Sequence, residues 1–185
     1  MKEINLTKIS LYQGKIPSLL SNKIDFDNLR KNFILNRSVD NFQSENVASY
    51  YSNYLNFQDH KHVMWIYDYI RDFIKFEHKI KILMREKSAI VQYFNESVGL
   101  HNHMDDNNLH QSPDYSVIYT IESGEIPSYI IFKYGDKLKD RYCKLELKRN
   151  NFIVFPSYLN HSLSKNMNQS PLIHLSIRLE QPESS

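Results

Sequence analysis

Apolar residues change their spacing midway along the chain. Between His62 and Met84, Trp65, Ile66, Tyr69, Ile70, Phe73 and Ile74 recur at helical intervals, with Asp68, Arg71, Asp72 and Lys75 opposite. That pattern predicts one long amphipathic helix. A shorter helix is expected in "DFDNLRKNFIL", capped by Asp25 or Asp27, and "SVDNFQSENVASYYSNYLN" reads as a polar, aromatic-rich loop or short helices. From Ser88 onward the period becomes two. "SAIVQYF", "YSVIYTI", "SYIIFKY", "YCKLELK", "NFIVFP" and "LIHLSIRLE" are short, rich in β-branched and aromatic residues, and bounded by Gly, Pro, Asn or Asp. No helices remain to carry parallel crossovers, so these strands must pair antiparallel and close into a sandwich, barrel or jelly roll. The expected fold class is mainly β with N-terminal helices (α+β), a jelly roll buttressed by a long helix.

Length and composition narrow this picture. The 185 residues show no repeat and no composition break, which predicts a single domain over 1–185, with helical support over 1–87 and a jelly-roll core over 88–180. A formal charge of +2, from 23 basic and 21 acidic side chains without a basic block, argues against a nucleic-acid partner. The single cysteine, Cys143, cannot pair within the chain, and no apolar run is long enough to span a bilayer. The expected setting is therefore cytoplasmic, with no membrane partner. Alanine occurs only at Ala48 and Ala89, a bias of the kind AT-rich bacterial or phage genomes impose. Nothing in the sequence bears on oligomeric state.

The chemistry concentrates in "HNHMDD", His101 to Asp106, and in "FPSYLNH", which ends at His161. Both segments follow a predicted strand. Side chains at i and i+2 of a strand share a face, so either His101 with His103 or His103 with Asp105 can converge on one ion. A third ligand from His161 would leave coordination positions open, as non-haem iron oxygenases require. Isolated histidines such as His60, His62 and His78 are expected at the surface.

The stretches "YFNESVGLHNHMD", "YSVIYTI", "NNFIVFPSYLNHSL" and "IHLSIRL" resemble successive core strands of the iron(II)- and 2-oxoglutarate-dependent dioxygenases, in particular the prolyl-hydroxylase-like group that includes small bacterial and phage oxygenases. The resemblance runs from Ile90 to Leu179 and is most specific in "FPSYLNH". It implies a double-stranded β-helix that binds Fe(II), takes 2-oxoglutarate and molecular oxygen as co-substrates, and hydroxylates a C–H bond of a small-molecule or peptidyl substrate. On that resemblance His103, Asp105 and His161 are the metal ligands, with His101 competing for the place of Asp105.

The chain departs from the family where an arginine is expected on the last strand. His174 stands there, two residues before Ser176. Arginine brings a permanent charge and a planar fork for a carboxylate; histidine brings neither at neutral pH. Arg178, on the same strand face, is the expected substitute, with Ser176 and Tyr119 adding hydrogen bonds. Two alternatives follow from the departure. One is a non-catalytic jelly-roll binding or structural protein that has lost the co-substrate. The other is a cupin-like enzyme built on His101, His103 and His161. The segment "DNNLHQSPD", Asp106 to Asp114, is expected to rim the site as a mobile lid.

Overall fold

The computed structural model describes residues 9–35, 49–51, 61–105, 108–136 and 139–182. Most of the polar loop expected over 38–56, together with His60, lies outside them. In chain order the elements are β1 (Tyr12–Lys15), α1 (Ser18–Ser21), α2 (Phe26–Leu35), β2 (Ser49–Tyr51), α3 (Lys61–His78), β3 (Leu83–Gln92), β4 (Val98–His101), β5 (Tyr115–Glu122), β6 (Tyr129–Asp136), β7 (Lys139–Glu146), β8 (Asn151–Pro156), β9 (His161–Leu163) and β10 (Leu172–Glu180). A 3₁₀ turn at Leu109–Gln111 interrupts the β4–β5 connection.

Asp25 is the cap of α2: its Oδ1 accepts the Asn28 N–H at 3.0 Å. In α3, Val63, Ile66, Tyr67, Ile70 and Ile74 are buried, whereas Arg71 pairs with Asp68 and Asp72 on the outer face. The long helix ends earlier than expected. Lys79 adopts φ 61°, and the chain leads through Lys79–Ile82 into strand β3 at Leu83 instead of continuing to Met84 as helix. The alternation Lys79-Ile80-Lys81-Ile82 carries this switch of period, with Ile82 buried. The strand core thus starts about one turn of helix before Ser88.

Among the described residues the strands form two antiparallel sheets, ordered β1-β8-β5-β10-β3-β2 and β4-β9-β6-β7. β1 and β2, from the helical half, extend the larger sheet, which the sequence pattern did not foretell. Alternation along each strand divides the interior in two. Val117, Tyr119, Phe152, Leu175 and Ile177 face Leu29, Phe33, Ile66 and Ile70 of the helices. Ile118, Ile153 and Phe155 point the other way, toward Ile130, Phe132 and Leu163 of the smaller sheet. This is a jelly roll with helices on the outside of its larger sheet. No described helix is long and apolar enough to cross a membrane.

Candidate metal centre

His101 closes β4 and His161 opens β9, and the two face each other in register across that antiparallel pair. The chain then leaves the strand, and a hydrogen bond from the His103 N–H to the Ser157 carbonyl, 2.9 Å, docks it against the end of β8. His103 is thereby turned back toward the other two imidazoles. Potential ligand atoms of His101, His103 and His161 all lie within 4.8 Å of one another. Phe155 packs 4.7 Å from the His161 ring, centroid to centroid, and forms an apolar wall.

Each ring is held through its Nδ1. His101 Nδ1 lies 2.8 Å from the Gly99 carbonyl and His161 Nδ1 3.0 Å from that of Leu159. A carbonyl only accepts, so both Nδ1 atoms carry the proton and both Nε2 atoms carry a lone pair. His103 Nδ1 meets the Ser116 hydroxyl at 2.7 Å, which meets the Ser157 hydroxyl at 2.7 Å. The Nε2 atoms of His101 and His103 approach to 3.3 Å. Either a proton on His103 or a cation between the rings makes that approach favourable. A cation would fix His103 in the Nδ1–H form, with Ser116 accepting, which is how metal-binding histidines are usually oriented.

Burial keeps the rings neutral and competent as ligands. It depresses His103 to about 2, helped by the charges of His161, Arg178 and His101. It depresses His161 to about 4, with His101 adding to the effect, and lowers His101 as well.

The remaining predicted residues are placed unequally. Asp105 is not drawn into the histidine group: its Oδ1 accepts the Asn108 N–H at 3.1 Å and its own N–H donates to Ser112 Oγ at 2.8 Å, closing a local turn. The competing pair of His101 and His103 is the one the fold assembles. On β10, His174, Ser176 and Arg178 do share the interior face, opposite Thr120, Ile118 and Ser116 of β5. His174 is fully buried, with Nδ1 3.2 Å from Thr120 Oγ1 and Nε2 without a partner among the described residues. Burial depresses it to about 4, so it supplies no cation inside the barrel at neutral pH.

Arg178 reaches the site instead. It lines a cavity of about 260 Å³ together with His103, Asp105, Arg85 and Glu86, and is paired with Glu86 at 2.7 Å. Tyr119 goes the other way: its ring lies in the helix-facing core and its hydroxyl donates to Asn150 Oδ1 at 2.9 Å. The side-chain parity of β5 places Tyr119 opposite to Ser116 and Ile118, which removes it from the interior. Ser116 and Ser157 were not anticipated. Ser157 sits inside the quoted "FPSYLNH", but nothing local marks Ser116. His62, expected at the surface, is buried in α3.

No family model and no curated protein sequence matches the chain. Solved structures do. The non-heme alpha-ketoglutarate-dependent epimerase SnoN from nogalamycin biosynthesis superposes with a TM-score of 0.68 at 8% identity, covering 92% of this chain and 77% of that one. The viral collagen prolyl hydroxylase of Paramecium bursaria Chlorella virus-1 gives 0.61 at 12% identity, over 91% and 94%. A prolyl-4-hydroxylase of Pseudomonas putida gives 0.63 at 11%, over 94% of each. These likenesses establish the fold: the chain is a double-stranded β-helix of the kind these enzymes share.

Proposed function

We propose that the protein is a non-haem Fe(II)- and 2-oxoglutarate-dependent dioxygenase that hydroxylates a C–H bond of a small-molecule or peptidyl substrate. The observation that carries this reading is the convergence of three neutral imidazoles, each oriented through Nδ1, at one end of such a barrel. Imidazole suits Fe(II), and three open coordination positions remain. Iron held there would supply the chemistry of the class, in which 2-oxoglutarate, O₂ and substrate give succinate, CO₂ and hydroxylated product.

The chain's own contribution is positioning and charge. Three neutral ligands leave the full charge of a divalent ion uncompensated, which favours an anionic co-substrate beside it. Arg178 and Arg85 line the adjoining cavity beside Glu86 and Asp105, and Arg178 can meet a carboxylate there by exchanging Glu86 for it. Phe155 and Phe132 exclude water from the His161 side. The polar residues His174, Thr120 and Ser176 line the barrel interior behind the centre.

A second reading is favoured by the donor set itself. Three histidines without a carboxylate, and an uncharged His174 where the resemblance implies an arginine, fit an enzyme that uses no oxo-acid. Anaerobic titration separates the two. Fe(II) followed by 2-oxoglutarate should produce a visible charge-transfer band that neither gives alone. Arg178→Gln should raise the apparent Kd for 2-oxoglutarate about tenfold to a hundredfold, since a charged hydrogen bond is worth roughly 1.5–3 kcal/mol. Iron binding without a spectral response to millimolar 2-oxoglutarate would make the three-histidine enzyme the better account.

A further inference from the structure

Strand β3 is irregular where it passes the histidines. Arg178 and Leu179 of β10 pair with Glu86 and Met84 of β3, so Arg85 is left over as a bulge. In a regular strand Arg85 and Glu86 would point to opposite faces. Here both line the cavity that His103 and Arg178 also line. A bulge re-aims a side chain, and this one delivers a second guanidinium beside the centre.

The four charged groups of the cavity are not equally engaged. Asp105 Oδ1 accepts the Asn108 N–H in its local turn. Arg178 and Glu86 share a single hydrogen bond, Nη1 to Oε2, with 33% and 31% of their side chains exposed. A guanidinium can grip a carboxylate with two parallel bonds, so this contact leaves part of the fork unused. Arg85 is half-buried and has no hydrogen bond or ion pair among the described residues. One singly bonded carboxylate thus lies between two cations, of which only one is paired.

Arg178 is the cation tied to the histidines. Register places it opposite Ser116 of β5, whose hydroxyl meets His103 Nδ1 at 2.7 Å. Its charge reaches His103 as well, which burial and the charge of His161 depress first and Arg178 next. A ligand carboxylate that arrives at Arg178 meets Glu86 there, and two anions on one guanidinium repel each other.

We propose that Glu86 is a resident carboxylate, displaced from Arg178 by the carboxylate of a ligand, and that Arg85 takes Glu86 over. The exchange leaves no anion stranded: Arg178 gains the ligand and Arg85 gains Glu86. It also selects. A free monocarboxylate competes poorly with a side chain tethered in the cavity, whereas an acid held at its other end by the metal is tethered too. That the ligand is the oxo-acid co-substrate rests on the oxygenase reading above.

The test uses the full chain loaded with Mn(II) and glutarate, a dicarboxylate without the ketone that an oxo acid offers to iron, with binding read by calorimetry. Glu86→Gln removes the resident charge and should tighten glutarate about tenfold, the scale of one charge-assisted hydrogen bond. Arg85→Gln leaves the displaced Glu86 without a cation and should weaken glutarate about fivefold, as expected of a part-exposed ion pair. In the double variant there is no charge to take over, so adding Arg85→Gln to Glu86→Gln should change affinity by less than about twofold. A similar loss in both backgrounds would mean that Arg85 holds the ligand directly, and would overturn the exchange. So would unchanged affinity in Glu86→Gln, or no glutarate binding in any of the four proteins. The same four proteins, titrated anaerobically with Fe(II) and 2-oxoglutarate, separate the exchange from the oxygenase. The glutarate pattern without a 2-oxoglutarate band retains the exchange and loses the oxygenase; the band, with affinities indifferent to Glu86, does the reverse.

Discussion

The two faces of the larger sheet are made from the same strands and built to different ends. Toward the helices, β5 and β10 present Val117, Tyr119, Ile121, Ile173, Leu175, Ile177 and Leu179, all buried in one apolar core. Toward the smaller sheet, alternate positions present Ser116, Thr120, His174, Ser176 and Arg178. Stability is concentrated on the first face, where burial is worth about 25 cal/mol per Å². The second face gives up part of that stabilisation to hold polar groups in place. His174 shows the cost most plainly, with a buried Nε2 that has no partner among the described residues. A period-two strand lets one segment separate the two tasks residue by residue.

Substitutions on the two faces should therefore fail differently. The largest effect is expected from His161→Ala, which should abolish stoichiometric metal binding in a titration while the circular dichroism spectrum stays native, because the ring lies at a strand end. Retained binding would disprove the three-histidine centre. Leu175→Ala, from the helix-facing side, should cost about 2–5 kcal/mol in denaturant unfolding by opening a cavity in a fully buried cluster. Its metal affinity, measured where the variant is folded, should match the wild type.

Ser116→Ala comes next. It removes the partner of His103 Nδ1 and should weaken metal binding about 10–100-fold, whereas Ser116→Thr, which keeps the hydroxyl, should restore most of it. A loss equal in both variants would point to packing and not to the hydrogen bond.

A further effect concerns pH. His174 is depressed from 6.5 to about 4 by burial, so between those values the unfolded chain binds the proton more readily than the folded one. Stability should then be complete above about pH 6.5 and fall as pH drops toward 4, by up to about 1.4 kcal/mol per pH unit for each such group. Replacing His174 with Leu should flatten the slope of unfolding free energy in that window. An unchanged slope would assign the dependence to other histidines.

Local pattern carried a good deal of this. Period two located the larger strands because half-buried strands leave alternation in the sequence, and Asp25 marked the start of α2 through its own side-chain chemistry. His103 and His161 were visible as residues that follow strands, but the choice between His101 and Asp105 was not. Spacing of i and i+2 places either pair on one face only while the chain remains a strand. After His101 it does not, because the His103 N–H is captured by Ser157, 54 residues later in the chain. The same limit hid Ser116, whose role exists only because β5 pairs with β8. The placement of Tyr119 in the helix-facing core was hidden for a related reason: alternation tells which residues share a face, and only the packing of helices against one side tells which face becomes the core. Sequence determined the elements and the ligand-forming chemistry because those depend on neighbours along the chain. The orientation of the rings and the composition of the histidine cluster were decided by contacts between segments far apart, which only the folded barrel brings within hydrogen-bonding distance.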